Sequence, residues 1–546
     1  MHRKHRIHPL IDCLWSDHKS GKLSRREFLR FAALLGLATT TASHLFQLAI
    51  PGHAMGAVYG QKLRIAGLLP ESEHPVENVS IPASQVLRQV AEYLTYTDKN
   101  NITHPFLLDR WVVSEDLRIW SLHLKKNIFF NNGQAFTADD VIFSIEQWLS
   151  PDINSPMKSI LGDCLTPSGI RKIDSHLVVL YLSRPELELP EKLFHPSAMI
   201  LNHRTFEGNF MEAPHGTGPF RIEKFEKNIR CLLKRRYDYW QPGLPFLNEI
   251  EFLDLGRNVS SRVTALKSGT VDLIDLSDTG SSDAYSALKN DRNIRLTPVL
   301  TAKANVLRMR VDREPWNDNR VRSALKLCQH RNKIRYLAHN GQGAIGNDFH
   351  VCPAHPEYCE KKTIKFDPRR AKSLLEEAGY ENGLDIHLTI AEGKPDIRTQ
   401  ALVLQNDAAR AGFRIHLQEV PGHEYHRNRT KFDLGITPWA HYPLGVTALK
   451  LAGAVDEQGN PGPWNETRWV NEEFSQLLRQ AGNTLDVLER KALFCKLEKI
   501  QMNQGAVGIP CWQNSYIASR KRVQNIQPHP NDYLFLNKVW LKPGKK

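Results

Sequence analysis

Two histidines and two cysteines fall within ten residues at His350-Val351-Cys352-Pro353-Ala354-His355-Pro356-Glu357-Tyr358-Cys359. Imidazole nitrogen and thiolate sulfur are ligands that zinc and nickel favour, so metal binding is one chemistry open to this segment. Its spacing matches no common zinc module, and two prolines stiffen it. The other chemistry is oxidation. Cys352 and Cys359 bracket a short Pro-rich loop and are the expected disulfide partners in an oxidising compartment. An acidic pair, Asp139-Asp140, follows Thr137 at the spacing of a variant capping box. Carboxylates there serve the start of a helix and its dipole, not acid catalysis. The chain has no Gly-x-Ser-x-Gly elbow, no His-Glu-x-x-His and no phosphate-cradling Gly-x-x-x-x-Gly-Lys-Ser/Thr. No catalytic residue, resident metal or cofactor is therefore expected.

The compartment is read from Ser24-Arg25-Arg26-Glu27-Phe28-Leu29-Arg30. Paired arginines, then Phe-Leu, a basic residue and a mildly apolar run, have the pattern of a twin-arginine export signal. Phe31 to Ile50 carries no charged side chain and is diluted by Thr39-Thr40-Thr41, Ser43 and His44. Pro51-Gly52 then breaks any helix, and the small residues of Gly52-His53-Ala54 predict cleavage after Ala54. The competing reading is an uncleaved anchor, since twenty uncharged residues can just cross a bilayer. No cysteine lies between Cys13 and Cys164, so no lipid-attachment site follows the apolar run. The expectation is a periplasmic protein, exported folded through the twin-arginine translocase.

Removing residues 1–54 leaves 492 residues, enough for two or three lobes. No later apolar stretch approaches the length of a membrane span. Of the net charge of +13, the first 54 residues supply +5, from eight Lys/Arg and three Asp/Glu. The rest is spread thinly in short runs such as Lys234-Arg235-Arg236 and Lys361-Lys362. A nucleic-acid binder would concentrate its charge on a face or a tail, so no nucleic-acid partner is expected. Seven cysteines remain after cleavage, so one is left over if the others pair.

The elements that must position these residues alternate short strands and helices without a fixed repeat. Lys62 to Ala66 reads as a strand. Val86 to Leu94 reads as a helix, with Val86, Val90 and Leu94 on one face. Trp120-Ser121-Leu122-His123-Leu124 alternates as a half-buried strand, and Asn132-Gly133 turns the chain. Thr137 opens a helix with Val141, Ile145 and Trp148 on one face. Arg262 to Lys267 is helical and stops at Gly269, before a strand from Val271 to Ile274. Asp367-Pro368 caps a helix whose stripe is Ala371, Leu374, Leu375 and Ala378, ended by Gly379.

Six segments carry a family likeness in their order. They are the strand, turn and Ala-Asp-Asp-Val helix from Trp120 to Ile145; Gly216-Thr217-Gly218-Pro219-Phe220; Tyr237 to Trp240; Leu266-Lys267-Ser268-Gly269-Thr270-Val271-Asp272; Trp316 to Leu325; and Phe366 to Tyr380. Together they resemble the family 5 extracytoplasmic solute-binding proteins, the oligopeptide/dipeptide/nickel-binding type that serves ATP-driven (ABC) importers. The resemblance implies an α/β, two-lobed periplasmic binding protein, type II-like, with an extra subdomain in the first lobe. Residues 55–85, 211–305 and 511–546 would form the first lobe, 86–210 the extra subdomain and 306–510 the second lobe. Hinge crossings would fall near Ala302–Arg308 and Ile509–Gln513. Glycines 133, 218 and 269 read as backbone positions needing turns or positive φ.

Peptide-binding members of that family carry a Trp-x-x-Asp segment whose carboxylate pairs with the amino terminus of the bound peptide. The corresponding segment here is Thr437-Pro438-Trp439-Ala440-His441-Tyr442-Pro443, preceded by Phe432-Asp433-Leu434. Tyr442 stands where the Asp would be. A buried ammonium without a partner costs several kcal/mol, so amine recognition in the usual way is not expected. Trp439, His441 and Tyr442 are the ligand-binding candidates: an apolar face and two groups that hydrogen-bond neutral or anionic acceptors. The competing reading makes His441 and Tyr442 plain loop residues. The implied function is the receptor of an ABC importer, a monomer that captures a peptide or peptide-like solute between its lobes and hands it to permease and ATPase subunits. The alternatives are a receptor for an opine, sugar or metal chelate, a two-lobed sensor or folding helper, and, behind these, a periplasmic hydrolase.

Overall fold

The computed structural model describes residues 9–36, 57–77, 81–277 and 281–543. The cleavage site expected after Ala54 lies outside them. Arg25 and Arg26 open the helix Arg25–Leu34. Ser24 and Glu27 form its capping box, with the Glu27 amide donating to Ser24 Oγ at 3.2 Å and the Ser24 amide to Glu27 Oε2 at 3.0 Å. Among the described residues no helix is long and apolar enough to cross a membrane.

The chain divides into two compact units. The first comprises residues 1–277, 287–297 and 516–546; the second comprises 278–286 and 298–515. A seven-stranded sheet organises the first. Its strand order is Ile294–Leu300, Asn514–Arg520, Leu273–Asp275, Lys62–Gly67, Glu249–Asp254, Arg230–Arg235, Phe220–Glu226. The centre is a parallel pair with Leu63 opposite Ile250 and Ile65 opposite Phe252, all four buried. A separate antiparallel sheet runs in the order Leu108–Val113, Ile119–Leu124, Leu177–Tyr181, Ile170–Asp174. Against it lies the helix Ala138–Leu149, its Val141, Ile145 and Trp148 fully buried. Asp140 Oδ2 accepts from the Thr137 amide at 2.8 Å, so this carboxylate caps the helix as its spacing predicts.

One expected helix is corrected. The segment from Val86 does not run helical to Leu94; the helix is Ile81–Leu87, and the chain then turns. The reason is competition for its carbonyls. Gln89 O accepts from the Phe220 amide, Val90 O from Gly218, Glu92 O from Ile200 and Leu94 O from Phe106. Backbone groups bonded to other segments cannot also close helical turns.

The second unit has a five-stranded mixed sheet in the order Phe413–Val420, Leu384–Ala391, Leu434–Trp439, Ala304–Met309, Val507–Gly508. Parallel neighbours Leu384–Ala391 and Phe413–Val420 pair over eight residues. Leu434–Trp439 runs antiparallel to Ala304–Met309, with Trp439 opposite Ala304. Helices Asn319–Leu327, Arg331–His339, Pro368–Glu377 and Pro395–Ala408 belong to this unit. Asp367 caps the third of them by accepting from the Arg370 amide at 2.9 Å.

The expected Cys352–Cys359 disulfide is also corrected. Cys359 is bonded to Cys495, 136 residues away, on the helix Val487–Gln504. Glu498 on the same helix accepts from the Cys359 amide at 3.1 Å, so the end of the Pro-rich loop is held against that helix. Cys352 is a buried free thiol whose Sγ donates to Thr301 O at 3.2 Å. Burial pushes that thiol up to about 12, so it stays protonated and unreactive.

Candidate functional site

The strand Leu434–Trp439 delivers the candidate loop. Leu434, Gly435, Ile436 and Thr437 are buried, and the strand emerges at Pro438 and Trp439. A charged network anchors it. Glu466 pairs with Arg308 at 3.1 Å and with Arg429 at 3.1 Å, and accepts from Thr437 Oγ1 at 2.7 Å. Arg308 and Glu466 are both buried, so removing either partner would strand the other without its counter-charge.

After Trp439 the chain is clamped by the segment that sequence reading singled out for its His and Cys. The His355 ring accepts from the Cys352 amide through Nδ1 at 2.9 Å and reaches Tyr442 O through Nε2 at 2.8 Å. These partners set the tautomer with the proton on Nε2. Glu357, fully buried, accepts from the Gly445 amide at 3.1 Å and faces Arg490 Nε at 3.5 Å. It therefore satisfies an orphan donor at the start of the helix Gly445–Gly453 and supplies the negative charge that end favours. With ring nitrogens and a cysteine committed in this way, the His/Cys segment works as a brace. Among the described residues no group of three or more His, Cys, Asp or Glu is placed to hold a metal ion.

The three predicted ligand contacts separate. Trp439 is half-buried and packs on a cluster that includes Ala302, Cys352, Ile509 and Trp512. His441 is buried, and its Nδ1 accepts from the Ala302 amide at 2.9 Å, which ties the loop to the start of the neighbouring strand. Tyr442 is half-buried, and burial raises its phenol. Its carbonyl is taken by His355. Asp433 offers no substitute for the missing carboxylate, because it pairs with Arg313 at 2.7 Å.

His350, which belongs to the His/Cys segment in sequence, faces Trp439. The two rings lie 4.4 Å apart between centroids, tilted by 46°. Gln501 holds His350 twice, accepting from its amide at 3.0 Å and bonding its Nδ1 at 3.1 Å. The amide group of Gln501 donates to Nδ1, so the proton sits on Nε2. Burial holds this imidazole down at about 4, hence neutral at physiological pH. Nε2 is buried and has no hydrogen-bond partner among the described residues. A buried N–H without an acceptor costs roughly 1–3 kcal/mol, which an accepting ligand group or a water would recover. Nothing in the sequence marks Gln501, 151 residues from His350, as part of this arrangement.

The candidate site thus sets an indole face beside a neutral imidazole donor, and Asp433, the carboxylate nearest in sequence, is taken by Arg313. It suits acceptor groups of a ligand better than an ammonium.

The chain matches the model of the bacterial extracellular solute-binding proteins, family 5 Middle, over residues 103–449, and it belongs to that family. Members of the family are binding proteins. The chain is 24% identical over 466 residues to di/tripeptide-binding protein 1 of Pseudomonas aeruginosa, covering 78% of this chain and 83% of that protein. It is 24% identical over 461 residues to the dipeptide-binding protein of Escherichia coli, covering 78% and 84%. The solved structure of HbpA2 from Haemophilus parasuis covers 89% of this chain and 100% of its own, with a TM-score of 0.78 at 22% identity. The fold is that of the two-lobed periplasmic binding proteins, of mixed α/β content.

Proposed function

We propose that this chain is the periplasmic substrate receptor of an ABC importer, capturing a peptide or peptide-like solute and delivering it to permease and ATPase subunits at the inner membrane. The di/tripeptide- and dipeptide-binding names of its relatives support the solute class. The observation that carries the site is the braced Trp439 loop beside His350, whose Nε2 has no hydrogen-bond partner among the described residues. Tyr442 in place of an aspartate leaves this loop without a counter-charge for a free amino terminus. The favoured ligands are therefore peptides or conjugates whose amine is blocked or absent, opine-like solutes included. Export through the twin-arginine translocase, directed by Arg25 and Arg26, belongs to the same reading.

Native mass spectrometry of protein isolated from the periplasm should reveal a bound small molecule. Thermal shift should then rise with that molecule and with N-acetylated di- to pentapeptides more than with their free-amine counterparts, as linkage requires. Trp439→Ala should weaken binding by about tenfold or more, equivalent to ~1.4 kcal/mol. A panel of peptides, blocked peptides, opines and sugars that gives no shift at all would remove the receptor reading. Unchanged affinity in Trp439→Ala would remove the loop.

A further inference from the structure

The first unit contains a cavity remote in sequence from the Trp439 loop. It has a volume of about 590 Å³, within the range of small-molecule sites. Three separate stretches build it: residues 96–106, Gln241 and residues 525–538. Tyr96, Phe106 and Phe535 are half-buried in its wall. Phe535 meets the Tyr96 ring edge-on at 4.8 Å, and Phe106 lies 5.8 Å from it. These three side chains and Asn537 also line a narrow inner cavity of about 40 Å³ that reaches the buried Glu92.

The walls are fixed by bonds between the stretches. His529 Nε2 bonds Thr97 O at 2.8 Å, and Gln85 and Gln89 bond Asp532 O and Leu534 O at 2.6 and 2.9 Å. Glu92 accepts from Tyr239 Oη at 2.6 Å and Trp240 Nε1 at 2.8 Å, and the Trp240 ring backs Phe106 at 5.5 Å. The cavity is therefore pre-formed and need not be assembled by a ligand.

Part of its polar lining is uncommitted. The side-chain amides of Gln241, Gln527 and Asn537 have no hydrogen-bond partner among the described residues, and Lys99 and Lys538 have no ion-pair partner among them. The one carboxylate in the lining, Asp98, is engaged by the amides of Asn100 and Ile102, at 2.8 and 3.1 Å, and by His104 at 3.4 Å. Aromatic walls take the apolar face of a ring, amides both donate to and accept from hydroxyls, and two ammonium groups favour one negative charge.

We infer that this cavity is a second small-molecule site, for an acidic sugar: one or two pyranose rings bearing a carboxylate. Binding there does not depend on the proposed receptor function.

Isothermal titration of the mature protein with galacturonic acid, digalacturonic acid and galactose tests it. One of the acidic sugars should bind, with galactose weaker by about tenfold or more. Lys538→Gln and Lys99→Gln, both at exposed positions, should each lower the affinity severalfold and reduce its salt dependence. Phe535→Ala should lower it further, and Trp439→Ala should leave it unchanged. Absence of binding, equal affinity for galactose, indifference to both lysine variants, or loss in Trp439→Ala would each overturn the proposal.

Discussion

His350, His355 and His441 show how one residue type takes three roles within one loop system. His355 spends both ring nitrogens on backbone groups, and His441 spends Nδ1 on one. These are braces. His350 is held by Gln501, and its Nε2 has no hydrogen-bond partner among the described residues, so its ring keeps a donor to offer. Glu498, beside the disulfide, gives the residue-scale prediction. Burial pushes its carboxyl up to about 8 from an ordinary 4.5, despite the Cys359 amide and Lys361 at 3.4 Å, which favour the charged form. The folded state thus keeps a proton that the unfolded state releases. The resulting stability is complete below about pH 4.5 and is lost as pH rises to about 8. Glu498→Gln keeps the acceptor for Cys359 and removes the titration. Its melting temperature should fall less between pH 5 and 8 than that of the parent protein. Parallel curves for the two proteins would show that Glu498 titrates normally.

At the scale of elements, the approach of two segments decides what local propensity does not. Gly216 and Gly218 lie against the chain at Gln89–Ala91. A Cβ on Gly216 would sit 2.0 Å from Val90 O, and one on Gly218 2.7 Å from the Gln89 and Val90 carbonyl oxygens. Both clashes are with backbone, so no side chain can swing aside. Gly216→Ala and Gly218→Ala should each cost about 3 kcal/mol or more, read as a lowered urea midpoint. Loss of less than ~1 kcal/mol would show that the contact is loose. Gly133 and Gly269 are different: their φ angles are +82° and +84°, the left-handed turns that their sequence contexts predict. Gly218, expected to need the same backbone freedom, is required instead by close packing. Local signals were legible wherever a few neighbouring residues settle the outcome. The Thr137–Asp140 box, the Asp367-Pro368 start and the Gly269 stop are of this kind. The segment after Leu87 was not legible, because the carbonyls that end its helix are taken by Gly218, Phe220 and Ile200, all more than a hundred residues further along the chain. Of the candidate site, the motif proposes Trp439 from sequence alone; the Gln501 contact and the Cys359–Cys495 bond are not legible there, since each is defined only by long-range contact.

At the scale of the whole molecule, the proposed export sets the order of folding and oxidation. If Arg25 and Arg26 direct folded export, the second unit must fold in a reducing compartment with Cys359 and Cys495 as thiols. It has the means without the bond. Asp348 and Arg331 form a buried pair at 2.6 Å, and Asp348 Oδ1 accepts from the Ile509 amide at 2.9 Å. Glu357 holds the helix start at Gly445, and Glu498 holds Cys359 in place. The disulfide then closes a loop of 136 residues after translocation. A crosslink of that span adds roughly 2–5 kcal/mol, chiefly by restricting the unfolded chain. Replacing both arginines, Arg25→Lys with Arg26→Lys, should therefore do two things at once. Fractionation should find the protein in the cytoplasm, and alkylation of that material under denaturing conditions should label three more cysteines than the periplasmic parent: Cys359, Cys495 and the Cys13 of the uncleaved signal. The retained protein should still be folded, with a lower unfolding free energy that oxidation restores. Export of the double variant at the parent level would refute the address. Retained protein that is unfolded would refute folding ahead of the bond.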